Sequence, residues 1–396
     1  MTSVDTIIIY RSGLLPSTQT FITAQAGAVR SFAVRYAGLL PVDGGLPAAA
    51  KPVLLASTRS TSSRAREGVY KVFGFAPAFQ SALEKLRPSL LHAPFTLDGI
   101  HALPLVRALK IPLLVTLHGH IPTGAGRALP KFSVDGILYR SRLDLLWKRT
   151  ETFICVSEFV RQKAIDQGFP EQKLRVHYVG VDLRLFRRTA DIRDPNMVLF
   201  VGRLVEKKGC TYLLQAMARL KERCRQAHLV VVGDGPERSK LEIEAKTLRL
   251  PCLFVGNCSP MEVLSWLRRA RVFCGPSVTA KDGDAEALGM VFAEAQSVGL
   301  PAVSFRHGGI PEVVRDGYTG LLARERNVED LSNYLMRYLC DDQYWQFSSQ
   351  EATEWIQQRF CLNKQTLELE RLYRSSIDDH FPYKPGSEPS RESIYA

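Results

Sequence analysis

Short apolar runs rich in β-branched residues alternate along this chain with longer stretches of helical periodicity. In the first half the runs are TIIIY, PVLLAS, SLLHAP, IPLLVTLHG, TFICVS and LRVHYVG. In the second they are MVLFVGR, HLVVVGDG, CLFVG, RVFCGPS and PAVSFRHGG. Strands alternating with helices predict parallel sheets built from βαβ units. Most runs end in Gly, Ser, Asp or Pro, the chemistry of a strand turning into a helix N-terminus. The pattern predicts an α/β protein of two doubly wound domains that face each other. Their cleft would lie at the carboxyl ends of both sheets, where such folds bind ligands.

At 396 residues the chain is too long for one ordinary core. The polar, Pro-terminated stretch GVDLRLFRRTADIRDP predicts a hinge near 183–196, with one domain over 1–185 and another over 196–362. Residues 363–396 predict a C-terminal helix packing back on the first domain, then a Pro- and Ser-rich flexible tail with little to bury.

Composition narrows the class. An apolar fraction of 45% and a charged fraction of 23% are those of a soluble globular protein. No apolar run approaches the roughly 18–20 residues of a membrane-spanning helix. The N-terminus, MTSVDTIIIY, has no basic n-region and no small-residue cleavage site, so no secretory signal is expected. The eight cysteines are scattered without a C-x2-C pair, which reads as structural thiols in a reducing cytosol rather than disulfides or a metal site.

Charge changes the picture more. Residues 1–190 hold 25 Lys+Arg against 12 Asp+Glu, and the remainder 27 against 28, so the whole net charge of +12 belongs to the first half. Nucleic acid, anionic lipid or a phosphorylated substrate are the candidate partners. Segment 58–76, TRSTSSRAREGVYKVFGFA, mixes cations with Val69, Tyr70, Val72, Phe73 and Phe75, as a surface resting on anionic headgroups does. ILYRSRLDLLWKR, 137–149, reads as an amphipathic helix with a basic side and its apolar stripe in the core. The expected location is cytoplasmic and peripheral, on the inner face of the plasma membrane.

The chemistry concentrates in the second half. FVGRLVEKKG places Arg203 directly after a strand ending at Gly202, and Lys208 before the glycine that opens the next helix. Arg offers a planar fork of donors and Lys a mobile point charge; together they suit a diphosphate. Downstream, EALGMVFAE frames an apolar stretch with Glu286 and Glu294. E-x7-E followed by GLPAVSFRHGGIPEVV and preceded by GRLVEKKG and VVGDGPER resembles the retaining family 4 glycosyltransferases of GT-B fold, from Val198 to Leu322. The likeness continues through TLHGH, FICVSEFVRQK and HYVGVDLRLF in the first half. LLPSTQTFITAQ is similar to bacterial exopolysaccharide and lipopolysaccharide members, and departs from the Gly-Gly pattern common elsewhere in the family.

The resemblance implies two Rossmann-like domains, the first binding an acceptor and the second a nucleotide-sugar. A physical reading of the residues runs alongside. A helix beginning near Ala287 puts Glu286 at its mouth and Glu294 about two turns in, on the order of 12 Å apart. A carboxylate accepts two hydrogen bonds from a cis-diol, so Glu294 suits a ribose and Glu286 a hexose. The amides of Leu288, Gly289 and Met290 would face the phosphates at the helix N-terminus. These assignments match what the family implies. The resemblance also implies that His118 contacts the donor sugar near the reaction centre, and that Val255 and Asn257 lie near the nucleobase. Gly13, with Ser12 and Thr20 nearby, is expected in the loop after the first strand, where close backbone approach to a phosphate needs glycine. Asp234 and Gly235 make a tight turn bordering the cleft.

No metal is expected: His118 and His120 have no third ligand at suitable spacing. The Asp282–Asp284 pair lies where Arg203 and Lys208 already bring charge to the diphosphate. No cofactor is expected beyond the nucleotide diphosphate-sugar as co-substrate, with UDP and GDP both open. The expected activity is retaining transfer of a hexose to a polyprenyl-diphosphate-linked or oligosaccharide acceptor in surface polysaccharide biosynthesis. The resemblance implies same-face attack, with the departing diphosphate taking the acceptor's proton; the motifs hold no strong candidate for the carboxylate that a double displacement would need. A nucleotide-sugar epimerase of related fold is the rival enzyme. A basic nucleic-acid-binding protein is the rival class, and nucleic acid is not an expected partner because it leaves the E-x7-E cleft unexplained.

Overall fold

A strand covered on both faces must be apolar at every position, and β1 shows it: Ile7, Ile8, Ile9 and Tyr10 are all buried. The computed structural model describes residues 4–14, 20–41, 50–119, 133–189 and 192–381. Its first sheet holds β1 (Thr6–Leu14), β2 (Ala33–Pro41), β3 (Val53–Leu54), β4 (Pro88–Ala93), β5 (Leu113–Leu117), β6 (Thr150–Cys155) and β7 (Leu174–Val176). The second holds β8 (Met197–Val201), β9 (His228–Val232), β10 (Cys252–Gly256), β11 (Val272–Cys274), β12 (Ala302–Phe305) and β13 (Gly320–Ala323). The spatial orders are β3-β2-β1-β4-β5-β6-β7 and β10-β9-β8-β11-β12-β13, with the strands parallel throughout. Each sheet starts in its middle, winds outward to one edge, then resumes on the other side. That reversal leaves a crevice between β1 and β4 and another between β8 and β11.

The helices are α1 (Thr20–Ala28), α2 (Thr61–Phe73), α3 (Pro77–Glu84), α4 (Thr96–Leu109), α5 (Val134–Arg149), α6 (Glu158–Asp166), α7 (Cys210–Leu220), α8 (Arg238–Thr247), α9 (Pro260–Arg269), α10 (Met290–Ser297), α11 (Ile310–Val313), α12 (Val328–Cys340), α13 (Asp342–Arg359) and α14 (Leu362–His380). Helix α14 returns to the first domain. Its Leu369, Tyr373 and Ile377 join Ile7, Ile9 and Leu90 in one apolar cluster. Each such side chain contributes about 1.5–3 kcal/mol on burial. The Tyr373 hydroxyl lies 2.7 Å from His92 Nδ1, which ties the helix to β4. The expected tail, 382–396, lies outside the described residues, as does His120.

The chain crosses between domains at two adjacent places. Val181 N donates to the Phe360 carbonyl at 2.7 Å, and Leu362 N donates to the Val181 carbonyl at 2.9 Å. The same residues make a parallel bridge, Val181 to Cys361, so the outgoing and returning strands are stitched together at the hinge.

Three contacts close the cleft beside it. Gly119, at φ 87°, sits so near Ala287 that an added Cβ would lie 2.5 Å from the alanine's own. Ser157 Oγ donates to the Ala287 carbonyl at 2.6 Å. Glu312, on α11, accepts from the amides of Glu158 and Phe159 at 2.8 and 3.0 Å, capping α6 from the opposite domain.

The eight thiols are all free. Cys155 and Cys274 are buried, as the apolar runs around them predict, while Cys252 is half-buried. No helix among the described residues is long and apolar enough to cross a membrane.

Candidate active site

The crevice between β8 and β11 gathers most of the expected residues. Strand β8 ends at Val201, and Arg203 stands exposed just beyond it, with no carboxylate partner among the described residues. The chain then makes a single 3-10 turn over Glu206–Lys208, ending at Gly209. That turn points Lys208 inward, where its Nζ lies 2.5 Å from Glu286 Oε2. The two residues expected to serve the diphosphate and the sugar separately are therefore an ion pair. An ammonium has further N–H donors beyond the one given to Glu286, and Arg203 keeps its whole fork.

Glu286 is 9% exposed. Burial opposes its ionisation, yet Lys208, then Lys207 and His307, outweigh it and hold the carboxyl below its ordinary value. His307 Nε2 accepts from the Glu286 amide at 3.3 Å, and its Nδ1 lies 3.0 Å from Glu325 Oε2. His307 is a further residue at this site. Its signal in the sequence is a histidine two residues beyond a strand and directly before Gly308-Gly309. The glycines are dictated by contact: Gly308, at φ 55°, lies so close to the Glu286 carbonyl that a Cβ would stand 2.1 Å from it.

Helix α10 begins at Met290, not near Ala287. Gly289 at φ 84° caps it in the left-handed region, and the packing of Gly309 against Glu286 and Ala287 holds the preceding residues as a bent loop. Glu294 is consequently about one turn into the helix rather than two. The amides of Leu288 and Gly289 belong to the loop and have no hydrogen-bond partner among the described residues; Met290 opens the helix with an amide that helix geometry leaves free. Burial pushes the Glu294 carboxyl up to about 7, and no side chain among the described residues bonds to it.

Across the cleft His118 follows β5, its ring centroid 5.0 Å from those of Phe21 and Phe95. Burial, and then the Arg11 cation, push its pKa down to about 3, so the ring is neutral at ordinary pH. Val255 is half-buried and Asn257 exposed at the carboxyl end of β10, the edge strand two places from β8. Gly13 departs from expectation. It lies within β1, paired with Leu40 of β2, and not in a loop. The strand runs on because β2 extends beside it to Pro41 and supplies the ladder.

The remaining turns are structural. Asp282 Oδ1 accepts the Asp284 amide at 3.0 Å, and Asp284 pairs with Lys207 at 2.9 Å, so the acids of the D-x-D fold onto their own loop. No cluster of three or more metal-ligating side chains occurs among the described residues. Asp234 accepts the Gly235 amide at 2.7 Å and pairs with Arg238, making the turn after β9.

Comparison with known proteins gives a consistent picture. Residues 184–357 match the family described as glycosyl transferases group 1, and residues 28–185 match Glycosyltransferase Family 4. The amylovoran biosynthesis glycosyltransferase AmsK of Erwinia amylovora is 33% identical over 197 residues, 48% of each chain. Sulfoquinovosyl transferase SQD2 of Arabidopsis thaliana is 26% identical over 299 residues, 70% of this chain and 55% of that one. The chain thus spans about half the length of these curated relatives. Among solved structures, Anabaena Alr3699/HepE in complex with UDP and glucose superposes with a TM-score of 0.73 at 18% identity, covering 94% of this chain and all of that one. Sucrose-phosphate synthase from Thermosynechococcus elongatus gives 0.72 at 20% identity, covering 95% of this chain and 100% of that one. The fold is GT-B.

Proposed function

The chain belongs to the glycosyltransferases, and on that premise we propose that it is a retaining enzyme moving a hexose from a nucleoside diphosphate-sugar to an acceptor in surface polysaccharide assembly. The observation that carries this reading is the Lys208–Glu286 pair, set one turn of helix from the unpartnered carboxylate of Glu294 and opposite a neutral His118. Glu294 takes the ribose hydroxyls. The diphosphate lies against Arg203, the remaining N–H groups of Lys208 and the amides of Leu288, Gly289 and Met290. Glu286 faces the sugar.

Chemistry follows from those positions. The bond from the anomeric carbon to the diphosphate breaks as the cations and amides take up charge on the leaving oxygen. The acceptor hydroxyl attacks from the same face, and its proton passes to the departing diphosphate. A neutral His118 brings no positive charge against the electron-poor carbon. The clasp through Ala287 and Glu312 keeps water from competing. The description of AmsK as an amylovoran biosynthesis enzyme supports a polysaccharide acceptor.

A membrane-borne acceptor is supported by α2. Phe73, its last residue, and Phe75 just beyond it are 77% and 68% exposed, and the helix also carries the exposed cations Arg64 and Arg66. Tyr70, by contrast, is buried and bonds the His101 carbonyl, so it belongs to the core. The acceptor is polyprenyl-diphosphate-linked or an oligosaccharide, held at the inner face of the plasma membrane.

A thermal-shift panel of UDP, GDP and their sugars tests the donor. A true ligand at 100 times its dissociation constant adds about 2.7 kcal/mol. Silence across the whole panel would sink the reading. Product with inverted anomeric configuration would end the retaining assignment. Conversion of nucleotide-sugar to its epimer without acceptor would put the epimerase in its place.

A further inference from the structure

The crevice between β1 and β4, at the matching position in the first sheet, opens into a pocket of about 310 Å3. Most of its charges are already satisfied. Arg11 pairs with Asp98 at 2.9 Å, and Lys71 pairs with Glu67 and Asp135, each at 3.0 Å. Arg59 and Arg64 are different. Among the described residues Arg59 bonds the Pro41 carbonyl through its Nε at 2.8 Å, and neither it nor Arg64 has a carboxylate partner. Two guanidinium forks therefore line one pocket with no carboxylate against them among the described residues, an arrangement suited to phosphate.

The floor carries a directed hydrogen-bond chain. Ser12 Oγ lies 2.7 Å from His101 Nδ1, and His101 Nε2 lies 3.1 Å from Asp135 Oδ1. The His101 side chain is fully enclosed, and the Ser12 amide is pinned by Asp98 at 2.9 Å. The His101 hydrogen bond is the chief cause holding the Asp135 carboxyl at about 2, so Asp135 stays an acceptor. The Ser12–His101–Asp135 chain fixes the position of the Ser12 hydroxyl, whose remaining hydrogen-bonding capacity faces the pocket. The floor offers a held hydroxyl for a sugar hydroxyl, while the wall offers donors for an anion.

A layer of side chains joins this pocket to His118 at the end of β5. The Arg11 guanidinium lies 4.4 Å over the Phe95 ring, whose centroid is 5.0 Å from that of His118.

We propose that this pocket is a subsite for a phosphorylated sugar at the acceptor end of the transfer, with Ser12 hydrogen-bonded to a sugar hydroxyl and Arg59 and Arg64 holding the phosphate. His101 and Asp135 are positioning residues that hold the Ser12 hydroxyl in place. The inference rests on the chain acting as a glycosyltransferase.

The probe is glucose 1-phosphate, titrated by calorimetry into the full chain beside inorganic phosphate. Saturable binding, tighter than that of phosphate, is expected. Ser12→Ala, His101→Gln and the surface change Arg64→Ala should each weaken it about tenfold. Ser12→Thr, which keeps the hydroxyl, should restore it. The thermal shift given by nucleoside diphosphates should be unchanged in all of these variants. That shift reports on the donor site alone, so its absence from the wild type would count against the proposed function and not against the pocket.

Equal affinity in wild type and Arg64→Ala overturns the proposal, as does loss of glucose 1-phosphate binding in Lys208→Ala, which would place the probe in the donor crevice. Glucose on a short isoprenyl diphosphate in detergent micelles separates the sources. Tighter binding than glucose 1-phosphate marks a lipid-linked acceptor and equal binding a free sugar phosphate; either supports the subsite.

Discussion

The two crevices occupy the same place in two sheets of the same winding, yet they are built differently. In the second domain the cations come from one short turn and exposed loop, and the acids, Glu286 and Glu294, come from a loop and a helix that glycines bend into place. In the first domain the floor's polar groups are locked to one another through Asp98, His101 and Asp135, with Arg59 and Arg64 exposed at the wall. One site has mobile charge and unpartnered oxygens, suited to a leaving group whose charge changes during reaction. The other has fixed directions, suited to a partner that must be aimed. The shared fold supplies position; the side chains divide the labour.

The sharpest way to break this contrast is at Lys208. Lys208→Ala should lower turnover about 10²–10³-fold while leaving glucose 1-phosphate binding intact. It should also destabilise the fold by about 1–3 kcal/mol, because Glu286 is left buried without its partner. The double variant Lys208→Met/Glu286→Gln separates these effects, with unfolding midpoints recovering and turnover staying low. Recovery of both would reduce the pair to a structural ion pair.

Glu294→Gln comes next. It should weaken nucleoside diphosphate binding about tenfold. On the proposed assignment ribose hydroxyls donate to the ionised carboxyl, so binding near pH 7 should release a proton, read by calorimetry in buffers of different ionisation enthalpy.

The free protein gives a companion effect. With the folded pKa raised from 4.5 to about 7 by burial, the folded state binds this proton more tightly than the unfolded state. Its contribution to stability is complete below about 4.5 and is lost as pH rises through about 7. Denaturant midpoints should show that decline in the wild type and much less of it in Glu294→Gln.

Smaller still, Arg64→Ala and Arg66→Ala should each cost about 1 kcal/mol of partitioning onto anionic vesicles, measured by co-sedimentation. Insensitivity to lipid charge and salt would remove the membrane from the picture. Asp282→Asn, at the bottom of the scale, should leave transfer unchanged in a steady-state assay.

Strands buried at four of their five positions announce themselves, which is why β8 and β9 are plain in the sequence. Strand β2 is not, because Arg35 and Gly38 break its apolar run and its pairing with β1 is a fact of neighbours, invisible locally. The four residues of β13 are too few to show a period. Glu286, Glu294, Arg203 and Lys208 could be picked out by spacing. That Lys208 touches Glu286 could not, since it depends on where two loops from different strands meet. The start of α10 is hidden for a local reason: Leu288 and Ala287 favour helix, while Gly289 in the left-handed region and the packing of Gly308 and Gly309 keep them out of it. Ser12 gave a faint signal and His101 none, because their meaning lies in a bond across β1 and α4.

The grip on Ala287 reaches the acid beside it. A single peptide bond separates Glu286 from the residue that Gly119 and Ser157 hold from across the cleft. The site acid and the seam between the halves are therefore one segment of chain, fixed from the second domain by Gly308 and Gly309 and from the first by Gly119 and Ser157.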